Sequence, residues 1–123
     1  MTENEDNLSI QEVVSICQSA KSDFIELHKY NPLNTKTLDF IYKYDISEER
    51  ITKIINGLTC EDYHSGPLLD YNLSNKHPLW VFIKEIDIIN YKIAVYIKIK
   101  IINHRKKIII YSLHEEGLHN ETK

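Results

Sequence analysis

Residues 58–67, LTCEDYHSGP, place a thiol (Cys60), two carboxylates (Glu61, Asp62), a phenol (Tyr63) and an imidazole (His64) within a few positions. The stretch reads either as a connector between two elements or as the rim of an active site. A second group of candidates lies further on. In YKIAVYIKIKII the alternation puts Tyr96, Lys98 and Lys100 on one side of a strand, a basic and partly aromatic face that reads either as a docking surface for a polyanion or as a solvated lysine face. Other chemistry finds less support. Cys17 and Cys60 are far apart and have no CxxC partner, so neither a zinc ligand set nor a disulfide framework is indicated. Cys17 falls in an apolar helical pattern and reads as core. His77, His104 and His119 have no metal-ligand spacing with carboxylates, so no metal and no cofactor is expected.

The 123 residues suffice for one domain. The net charge of −3 argues against general nucleic-acid binding, but its distribution is uneven. Residues 1–75 sum to −7 and residues 76–107 to +6. An acidic front half is thus joined to a basic back half. No run of about 18 apolar residues occurs, so no membrane span is expected. The start, MTENEDNLSI, lacks the basic and apolar regions of a secretion signal, and a cytoplasmic location is the expectation.

The elements that must position these groups follow from local signals. Ser9 and Glu12 have capping-box spacing, and Ile10, Val13, Val14 and Cys17 make one helical face, predicting a helix to about Lys21. DFIELHKY reads as a brief strand and Asn31–Pro32 as a turn. A second helix is predicted over Thr37–Tyr44 with Leu38, Ile41 and Tyr42 inward. A third follows the Ser47 cap, buries Ile51, Ile54 and Ile55, and ends at Asn56–Gly57. Thr59 and Asp62 are spaced to cap one short turn. Gly66–Pro67 then sends the chain toward the sheet. Strands are predicted over Leu79–Ile88, Tyr91–Ile102 and Lys107–His114, joined as antiparallel hairpins. The expected fold is α+β: N-terminal helices on one face of a C-terminal antiparallel sheet. Its domain spans residues 9–116, between a polar, loose stretch at 1–8 and a tail at 117–123, and the pair Glu115–Glu116 reads as a solvated end.

Four blocks, GLTCEDYHSGP, LWVFIKEID, AVYIKIKI and IIIYSLHEE, preceded by LDFIYKYDISEERITKIINGL, resemble the MqsR family of bacterial toxins over roughly residues 35–116. The resemblance implies a fold like the RelE group of ribonucleases. It implies a metal-independent endoribonuclease, an mRNA interferase that inhibits translation. It further implies two partners: mRNA, and a cognate antitoxin combining a zinc-binding segment with a helix-turn-helix. Carried over by position, the family's basic residue after the DY aromatic is His64, its mid-strand tyrosine is Tyr96, and its basic residue after the last strand is His114. The family's glutamine after the tryptophan falls on Val81, which cannot do the same job. Lys84 is the candidate replacement.

Metal-free RNA cleavage requires a base for the ribose 2′-hydroxyl, an acid for the departing 5′-oxygen and a cation for the phosphate. Imidazole suits the first two and ammonium the third. The expectation is that His64 and His114 share acid–base work, Lys84 and Lys98 hold the phosphate with Lys100 beside them on the RNA-binding face, and Tyr96 orients or stacks on a base. The expectation holds only if these groups meet on one side of the sheet. The rival reading is a non-catalytic RNA- or protein-binding regulatory domain of the same fold.

Overall fold

A computed structural model describes residues 8–28, 35–68 and 77–117. The predicted turn at Asn31–Pro32, the polar N-terminus, His119 and the last six residues of the tail lie outside these ranges. The elements in chain order are α1 (Ile10–Ser19), β1 (Ile25–Leu27), α2 (Thr35–Tyr44), α3 (Glu48–Asn56), β2 (Tyr63–Leu68), β3 (Leu79–Ile88), β4 (Tyr91–Ile102) and β5 (Lys107–Glu115). The five strands form one sheet in the order β1-β5-β4-β3-β2. Strands β2 to β5 are an antiparallel meander, whereas β1 runs parallel to β5. The α+β class stands, but the sheet is mixed rather than wholly antiparallel. No hairpin ties β1 to β5, because the helices and three strands intervene, so its direction is not fixed by a tight turn.

The caps appear where the sequence places them. Ser9 Oγ accepts from the Glu12 amide at 3.1 Å, and Glu12 Oε1 accepts from the Ser9 amide at 2.8 Å. Ser47 Oγ accepts from the Arg50 amide at 3.0 Å. Helix α1 leaves orphan carbonyls at its C-terminal end. Asn56 caps this end, donating from Nδ2 to Cys17 O and Ala20 O, each at 2.9 Å, while Cys17 O also accepts from the Ala20 amide at 3.4 Å. Together with Gln18 Nε2, which donates to Leu58 O at 2.9 Å, this amide ties α1 to the end of α3.

Val95, Ile97, Ile99 and Ile101 of β4 are buried against the helices, beside Trp80 and Phe82 of β3 and Ile108, Ile110 and Leu113 of β5. The helices contribute Val13, Val14, Cys17, Phe40, Ile51, Ile54 and Ile55 to the same core. On α2 Ile41 packs against the core as predicted, but the inward face is shifted: Leu38 and Tyr42 are exposed, and Thr37 and Phe40 are buried. Cys17 is fully buried and its burial pushes the thiol up to about 12 from 9.0. Ionising it favours the unfolded chain, so stability should be lost as pH rises from about 9 toward 12. The urea midpoint should therefore fall less steeply over that range in Cys17→Ala than in the wild type.

The β3–β4 hairpin turns at Ile89 and Asn90, both with positive φ (46° and 67°), as a two-residue type I′ turn requires. It sets the register Ile88↔Tyr91, and with it Phe82↔Ile97 and Ile83↔Tyr96. Strand β5 carries a bulge: Ser112 faces Lys98 and Ile110 faces Ile99, leaving Tyr111 as the extra residue. Strict alternation from Ile108 and Ile110 would send Ser112 and His114 into the core. The bulge resets the parity, so that Leu113 is buried and His114 joins Tyr96 on the other face.

Strand β1 covers β5 only as far as Ile110, whose carbonyl accepts from the His28 amide at 2.9 Å. Beyond that point α2 takes over. The buried Thr37 hydroxyl accepts from the Leu113 amide at 2.9 Å, and the Tyr44 hydroxyl donates to Glu115 Oε2 at 2.6 Å. Thr37→Val keeps the shape but leaves a buried N–H without its acceptor. It should lower stability by about 1–3 kcal/mol, read as a shift in the urea unfolding midpoint.

Candidate active site

Position on the sheet decides which of the candidate residues can meet. Tyr96 and His114 are opposite neighbours on β4 and β5, and their rings stack with centroids 5.2 Å apart and planes at 17°. Lys98 and Ser112 form the next pair along the same strands and on the same face. A concavity of about 270 Å³ is lined by Tyr96, Lys98, Ser112, His114 and Lys36, the last from the first turn of α2. Phenol, imidazole, hydroxyl and two ammonium groups therefore surround one space.

The electronic state of the two rings follows from their surroundings. Burial raises the Tyr96 phenol above its ordinary range, so it remains a protonated hydrogen-bond donor at neutral pH. His114 Nδ1 lies 2.9 Å from the Glu115 carbonyl, which can only accept. The proton of the neutral ring is thus on Nδ1, and Nε2 is its basic nitrogen. Glu115 is not the solvated end the sequence suggested: it closes β5 half-buried, and its carboxylate is drawn away by the Tyr44 hydroxyl and by Lys43 Nζ at 3.8 Å.

Three expected members are elsewhere. Lys84 pairs with Val95 and shares the helix-side face with Phe82. Its ammonium lies 3.4 Å from Asp62 Oδ2, and that oxygen also accepts from the Thr59 amide at 2.9 Å. Lys84 holds the short turn at Cys60–Asp62 against the sheet and cannot take part with Tyr96 across the strand. Strand alternation itself is the reason: even-numbered residues of β3 face the helices, whereas even-numbered residues of β4 face away. Lys84→Met should leave any activity of the Tyr96–His114 site within twofold of wild type while costing on the order of 1 kcal/mol in stability. A parallel activity assay and urea titration check both halves.

His64 sits at a bulge on the edge strand β2, between Tyr63, which faces Phe82, and Ser65, which faces Val81. It is exposed, with Nδ1 at 3.2 Å from Ser65 Oγ. Three strand spacings, roughly 14 Å at about 4.8 Å each, separate β2 from β5. His64 and His114 therefore do not share one phosphate. The opening stretch is not a plain turn either. From Tyr63 it is strand β2, and Gly66, at φ 128°, passes so close to β3 that a Cβ would lie 2.9 Å from the Leu79 carbonyl oxygen.

Lys100 is on the expected face but only 4% exposed, with its ammonium 5.2 Å from the centre of the Tyr111 ring, which itself stacks on His28. Its charge serves this stack, not an external ligand. Val81 is buried opposite Lys98 on the same face, and it offers no polar atom there. Lys36 and Ser112 were not among the expected site residues. Ser112 could have been found from its place two residues before His114, which shares its strand face; nothing local in the sequence marks Lys36.

No group of three or more potential metal ligands occurs among the described residues, and no described helix is long and apolar enough to cross a membrane. The fold and site define a class only: an α+β domain with a phenol–imidazole–ammonium cluster on the sheet face turned away from the core. Comparison with family models, curated proteins and solved structures finds no match.

Proposed function

We propose that the chain is a metal-independent endoribonuclease, an mRNA interferase of RelE-like fold acting as the toxin of a type II toxin–antitoxin pair in the manner of the MqsR family. The observation that carries this reading is the juxtaposition of Tyr96, His114 and Lys98 around one concavity. In this mechanism His114 Nε2 takes the proton of a ribose 2′-hydroxyl, and the 2′-oxygen attacks phosphorus. Lys98 neutralises charge on the non-bridging oxygens. The P–O5′ bond breaks, and the 5′-oxygen leaves as a hydroxyl with a proton from Tyr96, which solvent replaces. The products are a 2′,3′-cyclic phosphate and a 5′-hydroxyl end. The antitoxin partner, zinc-binding with a helix-turn-helix, follows from the resemblance alone.

A second reading, RNA binding without cleavage, is favoured by one observation: with His64 on a distant strand, the cluster holds a single imidazole. Incubating the purified chain with mixed-sequence RNA in excess chelator separates the two. Cyclic-phosphate ends that accumulate with time support the nuclease. Intact RNA that is nonetheless retained by the protein sinks it and leaves the binding module.

A further inference from the structure

We infer that Lys36, not Lys84, is the second phosphate-holding cation, and that it grips the reacting phosphodiester from the side opposite Lys98. This rests on the nuclease reading of the same site. Lys98 approaches the concavity from β4, and Lys36 approaches from α2, beyond the outer edge of β5. His114 and Ser112 lie on the strand between them. A phosphate seated over His114 thus has an ammonium group on each flank, one for each non-bridging oxygen. Lys36 also stands in the first turn of α2, where the helix dipole is positive and favours an anion. The alternative cations are occupied: Lys84 is on the other face with Asp62, and Lys100 is buried over Tyr111.

The placement is built into the fold by one hydrogen bond. Thr37, next to Lys36, accepts from the backbone of Leu113, next to His114, at 2.9 Å. This buried contact fixes the helix turn that carries the ammonium relative to the strand that carries the imidazole. Thr37 is in this sense a positioning residue, and Lys36 the group that meets the substrate.

The test compares wild type, Lys36→Ala, Lys36→Arg and His114→Ala on mixed-sequence single-stranded RNA in chelator. Binding is measured separately on the 2′-O-methyl form of the same RNA, which cannot be cut. Lys36 is exposed, so the variants should fold, and circular dichroism verifies this. Lys36→Ala should lower kcat about 100-fold, the scale of losing one transition-state charge donor. Binding of the uncut RNA should weaken less than about fivefold, roughly one phosphate contact, and Lys36→Arg should recover at least a tenth of kcat. If Lys36→Ala keeps its kcat while His114→Ala is inactive, the Lys36 assignment fails and the nuclease stands. A loss confined to KM and to binding of the 2′-O-methyl RNA also overturns it. If His114→Ala cuts as well as wild type, the nuclease reading fails and takes the Lys36 role with it.

Discussion

On the proposed nuclease reading, alanine at position 114 should slow RNA cleavage by about 10²–10⁴-fold, the usual contribution of a positioned general base. Two consequences distinguish this from a loss of folding. First, the imidazole is 8% exposed on the face away from the helices, and its removal leaves the Ile97–Leu113 pair beneath it intact. The unfolding midpoint should move far less than the rate. Second, added imidazole should restore part of the activity, since it can occupy the space beside Tyr96 and accept the same proton. A variant that cuts at the wild-type rate with unchanged ends would remove His114 from the chemistry.

The largest effect on stability is expected one layer down. Ile97 is fully buried, faces Phe82 on β3 and Leu113 on β5, and lies next to Tyr96 in sequence. Ile97→Ala removes three carbons from a row closed on both sides by fully buried side chains. The site cannot collapse easily, because the strands are held by their ladders and α2 is tied to Leu113. A loss of about 2–5 kcal/mol is expected, measured by urea denaturation with an unchanged m-value. Below its unfolding transition the variant should keep the Tyr96–His114 stack and its activity, because the deletion is on the core side of the strand. The two substitutions therefore address opposite faces of neighbouring strands, and their effects should separate cleanly into rate and stability.

The legible parts of this fold are those specified by neighbouring residues. Ser9 with Glu12, Ser47 before two glutamates, and Thr59 with Asp62 all cap the turns their spacing indicated. The Ile93–Ile101 alternation described β4 correctly, although Ile93 is only partly buried. Strand β2 was missed because Gly66–Pro67 read as a terminator, yet an edge strand tolerates proline on its free side. The face of α2 was misplaced although the sequence marks it. Phe40, Ile41 and Tyr44 mark the inward face at helical spacing, and Thr37 lies one turn earlier on it; what periodicity does not show is that a polar Thr37 is buried there to accept from the Leu113 amide on β5.

Within the site, Tyr96 and Lys98 were legible from alternation on a single strand. Lys84 was misassigned even though parity within its own strand places it with Phe82; the decisive information was the pairing across the Ile89–Asn90 turn. His114 meets Tyr96 only because of the bulge at Tyr111, and the run Ile108–Tyr111, apolar at both parities, obscures where the alternation changes. Lys36 was out of reach, since a helix 60 residues upstream of Tyr96 reaches the site only by packing.

The way α2 borders β5 has a consequence for handling the protein. Strand β5 continues past the end of β1, and a stretch of main chain there would otherwise present unpaired amides, a template for strands from other molecules. The Thr37 hydroxyl and the Tyr44–Glu115 contact shield that stretch. Conditions that loosen α2 before the sheet melts should therefore favour β-rich aggregates, seeded where β5 runs on past β1.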